Sequence, residues 1–367
     1  MSVSIIPIVH TFPVMINKYL SMSSPLTILI YEHLTSGGCF DVPVDSSLMV
    51  EGRAMAESVI ADFQSMSDVH VVTMRDSRLS ELEIEDVEVH RVASQGEQES
   101  IFINLCQKAD RIIIIAPESA GAFTDRLETA RKLKPFAIMN CFDRSLDIGC
   151  DKWELAKFCQ QYEIPHISTA LWMGQDIDVS YPMVIKPRDG AGCEKIVVVK
   201  EEAIPGEIKT DGSLIAQPML EGISLSSAAC FSSGGELLLT LPLGSQHVNI
   251  GDSVKYQGGA IPWRHEMSDE ANCQAIEIWS ILEQKLIGLW GYVGIDWLWQ
   301  EETKMLRLVE INPRLTTAFV GYRQLFGNEI IKAMLEMPFE IDMANLSQIS
   351  FTAGGLVNHS ESMVRRP

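Results

Sequence analysis

Between Leu26 and about Phe142, short apolar runs alternate with stretches in which apolar residues recur at helical spacing. The runs that we predict to be strands are TILIYE, VHVVTM, VEVHRV, RIIIIAP and FAIMNCF. Between the first two lies a helical stripe, which follows the capping candidates Asp45, Ser46 and Ser47 and consists of Leu48, Met55, Val59, Phe63 and Met66. This alternation predicts a parallel sheet covered by helices. No G-x-G-x-x-G motif follows the first strand, so we expect no dinucleotide site there.

The pattern changes near Asp151. The run DKWELAKFCQQYEIP predicts a helix and a turn, and the runs PMVIKPRDGAGCEKIVVVK and LIAQPMLEG predict a small β-rich module that ends near Leu220. Beyond Ile223 we predict a hairpin that turns at 233–235, an amphipathic helix over roughly 269–289, a second hairpin and a last helix from about Asn328. A chain of 367 residues with this organisation is expected to form two or three domains.

The second hairpin carries an unusual set of polar residues. In the run LVEINPR, strand alternation places Glu310 and Asn312 on one face and Val309 and Ile311 on the other. The preceding run, YVGIDWLWQ, contains a single acid, Asp296. If residues 302–304 form a three-residue loop, Asp296 lies directly opposite Glu310.

Two carboxylates and an amide on one sheet face indicate a cation site. Two unit charges about 5 Å apart repel by roughly 3 kcal/mol at an effective dielectric constant near 20, so a positive ion between them would be stabilising. Carboxylate and amide oxygens suit Mg²⁺ or Mn²⁺ better than zinc. The alternative is a solvated sheet face on which these acids meet nearby lysines.

Composition narrows the classes of function. The net charge of −20 argues against general binding of nucleic acids or anionic membranes, so an anionic substrate would need a local basic cluster. The eight cysteines include no CxxC pair, which favours reduced thiols in a cytoplasmic enzyme. No run approaches the roughly 18 apolar residues that a membrane span needs. Residues 1–24 lack the basic region and cleavage site of a signal peptide and are interpreted as an extension.

Lys186 precedes a glycine-bearing loop in the run MVIKPRDGAG. Gly190 and Gly192 would let backbone N–H groups approach an anion, and the lysine would add a point charge beside it. This is not a Walker P-loop, because no G-K-[ST] follows and the lysine comes first. A plain β-hairpin is the alternative for this segment taken alone.

Five pieces in a fixed order carry a family resemblance: an Asp-Lys helix start, a lysine strand with a Gly loop, a hinge ending in Glu-Gly, an Asp, and Glu-x-Asn-x-Arg. Together they resemble the ATP-grasp superfamily of carboxylate–amine ligases over about 151–327. The resemblance implies an α/β and α+β fold, with an N-terminal parallel-sheet, Rossmann-like pre-ATP-grasp domain. The expected units are an extension (1–24), the pre-ATP-grasp domain (25–145), a small lid subdomain with its leading helix (146–222), a large subdomain (223–345) and a C-terminal segment (346–367).

The resemblance also implies roles for single residues. It implies ATP with Mg²⁺ (or Mn²⁺) as cofactors, Lys152, Lys186 and Lys255 as phosphate-binding lysines, and Gly190, Ala191, Gly192 and Cys193 as the loop over the phosphates. The adenine hinge would comprise Gln217, Pro218, Met219, Leu220 and Glu221, with the Pro218 carbonyl and the Leu220 amide facing the base. Asp296, Glu310 and Asn312 would bind the metal, with Arg314 and Lys255 as catalytic groups. Two departures stand out: Gln217 replaces an acid that many members carry, and Ser224 replaces a ribose-binding glutamate, for which Glu221 is a substitute.

The implied reaction forms an amide through an acyl phosphate. The runs YEHLTSGGCFD, SLMVEGRAMAESVIADF and INPRLTTAFVGYR are similar to the branch of tyramine–glutamate ligases in methanofuran assembly. This similarity implies glutamate and an aromatic amine as substrates. Two alternatives stay open: another ATP-grasp ligase that forms dipeptides or polyglutamate, and a nucleotide-binding protein without turnover.

Several side chains are candidates for substrate contacts. An arginine can bind a carboxylate with two hydrogen bonds, and loop threonines can donate to it. Glu118, at the end of a strand, could bind an ammonium group, although an acid at a helix N-terminus is the plainer interpretation. For Arg264 and Arg323 a surface salt bridge is an equal alternative. We expect small-molecule substrates, no nucleic acid or membrane partner, and a homodimer as a possible assembly; the carboxylate candidates are Arg188, Arg264, Arg314, Thr316, Thr317 and Arg323.

Overall fold

The computed structural model describes residues 24–174, 179–190, 195–200, 208–250, 254–344 and 346–359. The predicted extension and three of the predicted loop residues, Ala191, Gly192 and Cys193, lie outside these ranges. Within the described ranges, no helix combines the length and the apolar character needed to cross a membrane.

The N-terminal part is a four-stranded parallel sheet with helices against it. Its strands are β1 (Leu26–Glu32), β2 (Val69–Asp76), β3 (Val87–Val92) and β4 (Arg111–Ile115), in the order β3-β2-β1-β4. The helices are α1 (Ser47–Gln64), α2 (Gln95–Lys108) and α3 (Ala122–Leu133). The Ser46 hydroxyl caps α1 by accepting from the Met49 amide at 3.3 Å, which agrees with the predicted helix start.

The predicted fifth strand of this sheet, FAIMNCF, is wrong. It contributes a single parallel bridge between Ile112 and Ile138. The physical reason is Asn140, whose side-chain carboxamide binds the backbone groups of β4 that a neighbouring strand would otherwise bind. Its Oδ1 accepts from the Ile114 amide and its Nδ2 donates to the Ile114 carbonyl, both at 2.9 Å. A side chain therefore closes this edge of the sheet where a strand was expected.

Two helices and a small sheet follow. The helices are α4 (Asp143–Cys150) and α5 (Lys152–Gln161), and Asp151 caps α5 by accepting from the Trp153 and Glu154 amides. The small antiparallel sheet consists of β5 (Ala170–Leu171), β6 (Met183–Pro187), β7 (Val197–Val199) and β8 (Leu214–Pro218), in the order β5-β8-β6-β7. We call this sheet the lid; its small core contains Trp172, Met183, Ile185, Val199 and Ala216.

The third sheet is the largest and contains eight strands. They are β9 (Ile223–Phe231), β10 (Leu237–Thr240), β11 (Gly244–Ile250), β12 (Val254–Ile261), β13 (Gly291–Gln300), β14 (Met305–Asn312), β15 (Ile349–Thr352) and β16 (Val357–His359). Their order is β14-β13-β9-β11-β12-β15-β16, with β10 beside β9. The helices of this part are α6 (Ser268–Lys285), α7 (Phe319–Phe326) and α8 (Glu329–Met334). The strands β15 and β16, which fall in the predicted C-terminal segment, extend the large sheet.

The N-terminal sheet and the large sheet share one apolar cluster, which includes Ile28, Phe63, Tyr292 and Phe319. At its edge Arg323 of α7 donates to Asp62 of α1, with Nε 2.9 Å from Oδ1. Arg323, predicted as a substrate contact, therefore joins two layers of the fold. Its planar guanidinium binds a carboxylate of the protein instead of a carboxylate of a substrate.

The β13–β14 hairpin reaches the predicted register by a different route. Its turn occupies residues 301–304, one residue more than predicted, so Gln300 pairs with Met305 and Trp297 with Leu308. A β-bulge at Val309 then shifts the register by one residue and sets Asp296 opposite Glu310. The predicted opposition of the two acids is confirmed, and the predicted three-residue loop is wrong.

Candidate active site

A cavity of about 320 Å³ lies where the three sheets meet. Its polar lining comes mainly from the large sheet and the lid, and its apolar lining mainly from the N-terminal part. The residues from the large sheet and the segment after it are Ser224, Ser226, Gln246, Val248, Tyr256, Asp296, Val309, Glu310, Asn312, Arg314, Thr316, Thr317 and Ala318. The remaining residues are Glu32, Leu34, Leu48, Glu51, Gly52, Met55, Ile115, Ala116, Pro117, Lys152, Lys186, Pro187, Asp189, Gly190 and Ile196.

The acidic side of the cavity is the cluster predicted from the hairpin. Asp296, Glu310 and Asn312 all line the cavity, and the Asn312 amide donates to Asp296 Oδ2 at 3.2 Å. The bulge also turns Val309 toward the cavity, so the predicted strict alternation fails there. Gln246 of β11 donates to Asp296 Oδ1 at 2.7 Å. Gln246 was not predicted, because nothing in the sequence indicates that β11 lies near β13.

The electrostatics of Asp296 reflect its surroundings. Burial, followed by repulsion from Glu310, raises the pKa of Asp296 to about 6. The donors Asn312 and Gln246 act in the opposite direction without cancelling the shift. Asp296 is thus a carboxylate that a further cation would stabilise.

Lys152 connects the acidic cluster to the lid. Its Nζ lies 2.9 Å from Glu310 Oε1 and donates to the Gly190 carbonyl at 2.9 Å. Burial alone would lower the pKa of Lys152, but the Glu310 carboxylate more than offsets this and the pKa is raised. Lys152 is therefore a charged ammonium group at the boundary between the acidic cluster and the glycine loop.

Lys186 and Gly190 bring the lid to the cavity, as the sequence predicted, but Arg188 does not line it. The Arg188 guanidinium instead binds the helix-capping carboxylate, with Nε 3.1 Å from Asp151 Oδ1 and Nη2 2.5 Å from Oδ2. Side chains on a strand alternate, so Lys186 and Arg188 would share a face in a regular strand. The strand ends at Pro187, which frees Arg188 to turn toward α5.

The predicted hinge residues, 217–221, lie outside the cavity lining, whereas Ser224, at the predicted ribose position, lines the cavity. Gln217 donates through Nε2 to the Thr169 hydroxyl at 2.8 Å. This hydrogen bond uses the amide nitrogen of Gln217 and does not involve Oε1. The Met219 amide donates to the Pro182 carbonyl at 2.8 Å. The roles predicted for Pro218, Leu220 and Glu221 toward adenine stay predictions.

Lys255 is exposed on β12 and does not line the cavity, whereas its neighbour Tyr256 does. Strand alternation accounts for this difference, because adjacent residues point to opposite faces. Arg264 also lies outside the lining and donates to the Leu346 carbonyl. The structure thus corrects the predicted cavity positions of both side chains.

Arg314 lines the cavity and forms a buried ion pair with Glu118, with Nη2 2.7 Å from Oε2. Arg314 is 8% and Glu118 4% exposed. Glu118, which was predicted to bind a substrate ammonium group, therefore binds and orients the guanidinium of Arg314. Among the described residues, Arg314 Nε and Glu118 Oε1 have no hydrogen-bond partner. A buried N–H without a partner is costly, so an acceptor atom supplied by a ligand would stabilise this end of Arg314.

The two threonines after Arg314 both line the cavity but have partners within the protein. The Thr316 hydroxyl lies 3.3 Å from the Tyr292 hydroxyl. The Thr317 side chain favours the ionised form of Glu51 of α1 and so acts to lower the pKa of that carboxyl. Glu51 was not predicted, although an acid within the apolar stripe of a helix is a signal that the sequence contains.

The donor set of the acidic cluster fits Mg²⁺. No group of three or more His, Cys, Asp and Glu side chains arranged for a metal occurs among the residues that the structure describes. The potential metal ligands in the acidic cluster are the two carboxylates of Asp296 and Glu310 and the amide oxygen of Asn312. Mg²⁺ commonly takes one or two carboxylates and completes its octahedron with water and substrate phosphates. Since Asp296 and Glu310 face each other across one hairpin, they suit such a shared site.

Comparisons with known families agree with this architecture. The sequence matches the family description "ATP-grasp domain" over residues 150–318 and the "pre ATP-grasp 3 domain" over residues 69–141. No curated protein matches the sequence. The fold class is that of nucleotide-dependent enzymes in which a lid and a large sheet enclose one cavity. The chain contains an ATP-grasp domain that follows a pre-ATP-grasp domain, and it is an ADP-forming carbon–nitrogen ligase that uses ATP with Mg²⁺.

Solved structures show the same fold. An ATP-grasp superfamily protein from Archaeoglobus fulgidus is 24% identical with a TM-score of 0.67, over 89% of this chain and 92% of that one. N5-carboxyaminoimidazole ribonucleotide synthetase from Thermotoga maritima is 18% identical (TM-score 0.61; 88% and 80% covered). The biotin carboxylase domain of Hydrogenobacter thermophilus 2-oxoglutarate carboxylase, in complex with MgADP and bicarbonate, is 11% identical (TM-score 0.62; 88% and 73% covered). The predicted fold class is confirmed.

Lys186 is predicted to contact phosphate before and during the reaction, so we expect Lys186→Ala to weaken ATP binding at least about tenfold, roughly 1.4 kcal/mol. Turnover should fall further. Calorimetric titration with Mg-ATP and an assay of ADP release measure the two effects. Lys157→Ala on the exposed side of α5 is the control and should change neither. An unchanged ATP affinity in Lys186→Ala would remove this lysine from the phosphate site.

Proposed function

We propose that this ligase activates a carboxylate as an acyl phosphate and joins it to an amine. The observation that carries the proposal is one cavity that gathers Lys152, Lys186, the acidic cluster and Arg314. These are the groups that phosphoryl transfer between two anions requires, because catalysis of that reaction is largely positioning and electrostatic stabilisation.

Each group has a distinct task in this mechanism. Lys186 offsets phosphate charge from the lid, and Lys152 can move from Glu310 to a phosphate oxygen, since its flexible stem carries a point charge. Asp296, Glu310 and Asn312 would hold Mg²⁺. When bound, the ion would supply positive charge that offsets the charge of the phosphate groups. Arg314, with Nε unpartnered and Glu118 fixing its other end, would orient the reacting carboxylate.

The reaction then has two steps. A substrate carboxylate oxygen attacks the γ-phosphorus of ATP and ADP leaves. The acceptor ammonium loses a proton to water, and the neutral amine nitrogen attacks the acyl carbon. The bond from that carbon to the phosphate oxygen breaks, and inorganic phosphate leaves with the second proton of the nitrogen. We propose glutamate as the carboxylate substrate, activated at its γ-carboxylate, and an aromatic amine such as tyramine as the acceptor. The similarity of the N-terminal part and of the run INPRLTTAFVGYR to tyramine–glutamate ligases supports this choice.

The decisive experiment is a screen of ATP consumption by the purified chain with Mg²⁺ and glutamate against a panel of amines. ADP release and product mass are recorded together. We expect release that depends on both substrates and a product whose mass equals glutamate plus tyramine minus water. Coupling to another amino acid would favour a dipeptide or polyglutamate ligase. ATP binding without ADP release under every combination would favour the nucleotide-binding protein without turnover.

A further inference from the structure

One wall of the cavity is a face of α1. Leu48, Glu51, Gly52 and Met55 all line the cavity, and their spacing of i, i+3, i+4 and i+7 places them on one side of the helix. Leu34, after β1, adds a further apolar side chain. This wall combines one acid with a continuous apolar surface, and it lies on the N-terminal side of the cavity.

A second acid stands against the same helix face. Glu32 ends β1, is 2% exposed, and accepts from the Thr35 amide at 2.7 Å and the Leu34 amide at 3.3 Å. Gly52 allows the close approach, because a Cβ at that position would lie 2.6 Å from Glu32 Oε1. The missing side chain of Gly52 therefore brings the Glu32 carboxylate onto the wall that carries Glu51.

Neither acid has a cationic partner within salt-bridge distance among the described residues. Arg314 acts on both at longer range, but its ion pair is with Glu118. The cavity also contains the unpartnered Nε of Arg314, whose side chain is nine-tenths buried. Beside the two acids the protein thus leaves an N–H donor unsatisfied, and an unsatisfied donor on a residue that lines a cavity is a second, independent sign of a ligand site.

We infer that Glu32 and Glu51 form a subsite for the ammonium group of the acceptor amine, whose apolar body packs on Leu34, Leu48 and Met55. The inference rests on the proposed function and names the class of its second substrate. A primary ammonium ion supplies the charge that two enclosed carboxylates lack. The apolar surface beside them favours an amine with a hydrocarbon or aromatic body. Glutamate fits this surface less well, because its ammonium group stands next to a carboxylate.

The place of this subsite agrees with the chemistry. Lys152 of α5 contacts both Glu310 of the acidic cluster and Gly190 near Lys186, so the acyl phosphate would form on that side of the cavity. Arg314 lies between that side and α1, since its charge acts on Asp296 on one side and on Glu32 and Glu51 on the other. An amine held at Glu32 and Glu51 would therefore face the acyl carbon across Arg314.

The test uses Glu51→Gln, because Glu51 is only half-buried and makes no backbone hydrogen bond, with Glu57→Gln on the same helix as the matched control. Glu57 faces Arg75, outside the cavity. Two reactions are compared: coupling of glutamate to tyramine, and formation of glutamyl hydroxamate when neutral hydroxylamine replaces the amine. We expect the KM for tyramine to rise at least about tenfold in Glu51→Gln, roughly 1.4 kcal/mol, and hydroxamate formation to change far less. A rise in the KM for glutamate alone would overturn the inference.

A binding measurement separates failure of the inference from failure of the proposed function. Tyramine and its uncharged analogue 4-ethylphenol are titrated into the wild-type protein by calorimetry, with no turnover required. We expect tyramine to bind at least about tenfold more tightly, and Glu51→Gln to remove that difference. Equal binding of the two ligands would overturn the subsite. Preferential binding of tyramine, together with no hydroxamate from glutamate, would keep the subsite and refute glutamate as the carboxylate substrate.

Discussion

Glu310→Gln should lower amine-dependent ADP release at least about a hundredfold, which corresponds to roughly 2.7 kcal/mol of lost transition-state stabilisation. The substitution keeps the shape of the side chain and removes one charge from the acidic cluster. It also removes the ionic partner of Lys152, whose Nζ lies 2.9 Å from Glu310. Nucleotide binding through Lys186 and the hinge should persist, because those contacts do not use Glu310. Measurement of ATP affinity and ADP release in the same variant separates binding from chemistry.

The control for this experiment is Glu302→Gln, which changes an exposed acid in the turn of the same hairpin. It should leave ATP affinity and ADP release at wild-type values. Near-normal turnover in Glu310→Gln would refute the metal assignment, since a bridging carboxylate cannot be neutralised without cost to the phosphoryl transfer step.

The hairpin that carries Glu310 also shows how far a sequence pattern predicts a site. Alternation and the position of the turn predicted that Asp296 and Glu310 face each other, and they do. The turn in the structure is one residue longer than predicted, and the bulge at Val309 shifts the register back by one residue. The two differences therefore cancel at Asp296 and Glu310. Strand periodicity contains no information on a bulge, because a bulge is set by packing against the neighbouring strand and core. Here Leu308 and Ile311 both reach the same apolar cluster, which requires the phase to change between them.

Two predicted substrate contacts failed because each side chain has a partner far away in sequence. Arg188 was expected at a substrate and instead binds Asp151, and Glu118 was expected at an ammonium group and instead binds Arg314. An arginine and a carboxylate are suited equally to a ligand and to each other, and only the fold decides which partner is near. The same limit explains why Gln246 and Glu32 were missed. Their contribution comes from strand order and from the close approach that Gly52 permits.

Asp296→Asn should stabilise the metal-free protein while abolishing turnover. The pKa of Asp296 is about 6 in the folded protein, against an ordinary value of 3.8, so ionisation at neutral pH opposes folding. Removing that charge should raise the free energy of unfolding by at most about 3 kcal/mol at pH 7.5. The sign follows from the raised pKa: the effect is absent below pH 3.8, grows as pH rises toward 6, and is level above it.

Urea unfolding with a chelator present, at pH 7.5 and at pH 5, measures this effect, and the gain should fall by about half at the lower pH. Asp147→Asn on the exposed side of α4 is the matched control and should show no gain at either pH. A loss of stability in Asp296→Asn at pH 7.5 would mean that Arg314 and the amides of Asn312 and Gln246 already compensate the buried charge. The enclosed carboxylate would then be a structural group. A gain combined with lost ADP release would instead identify Asp296 as a residue whose position costs stability for the benefit of cation binding.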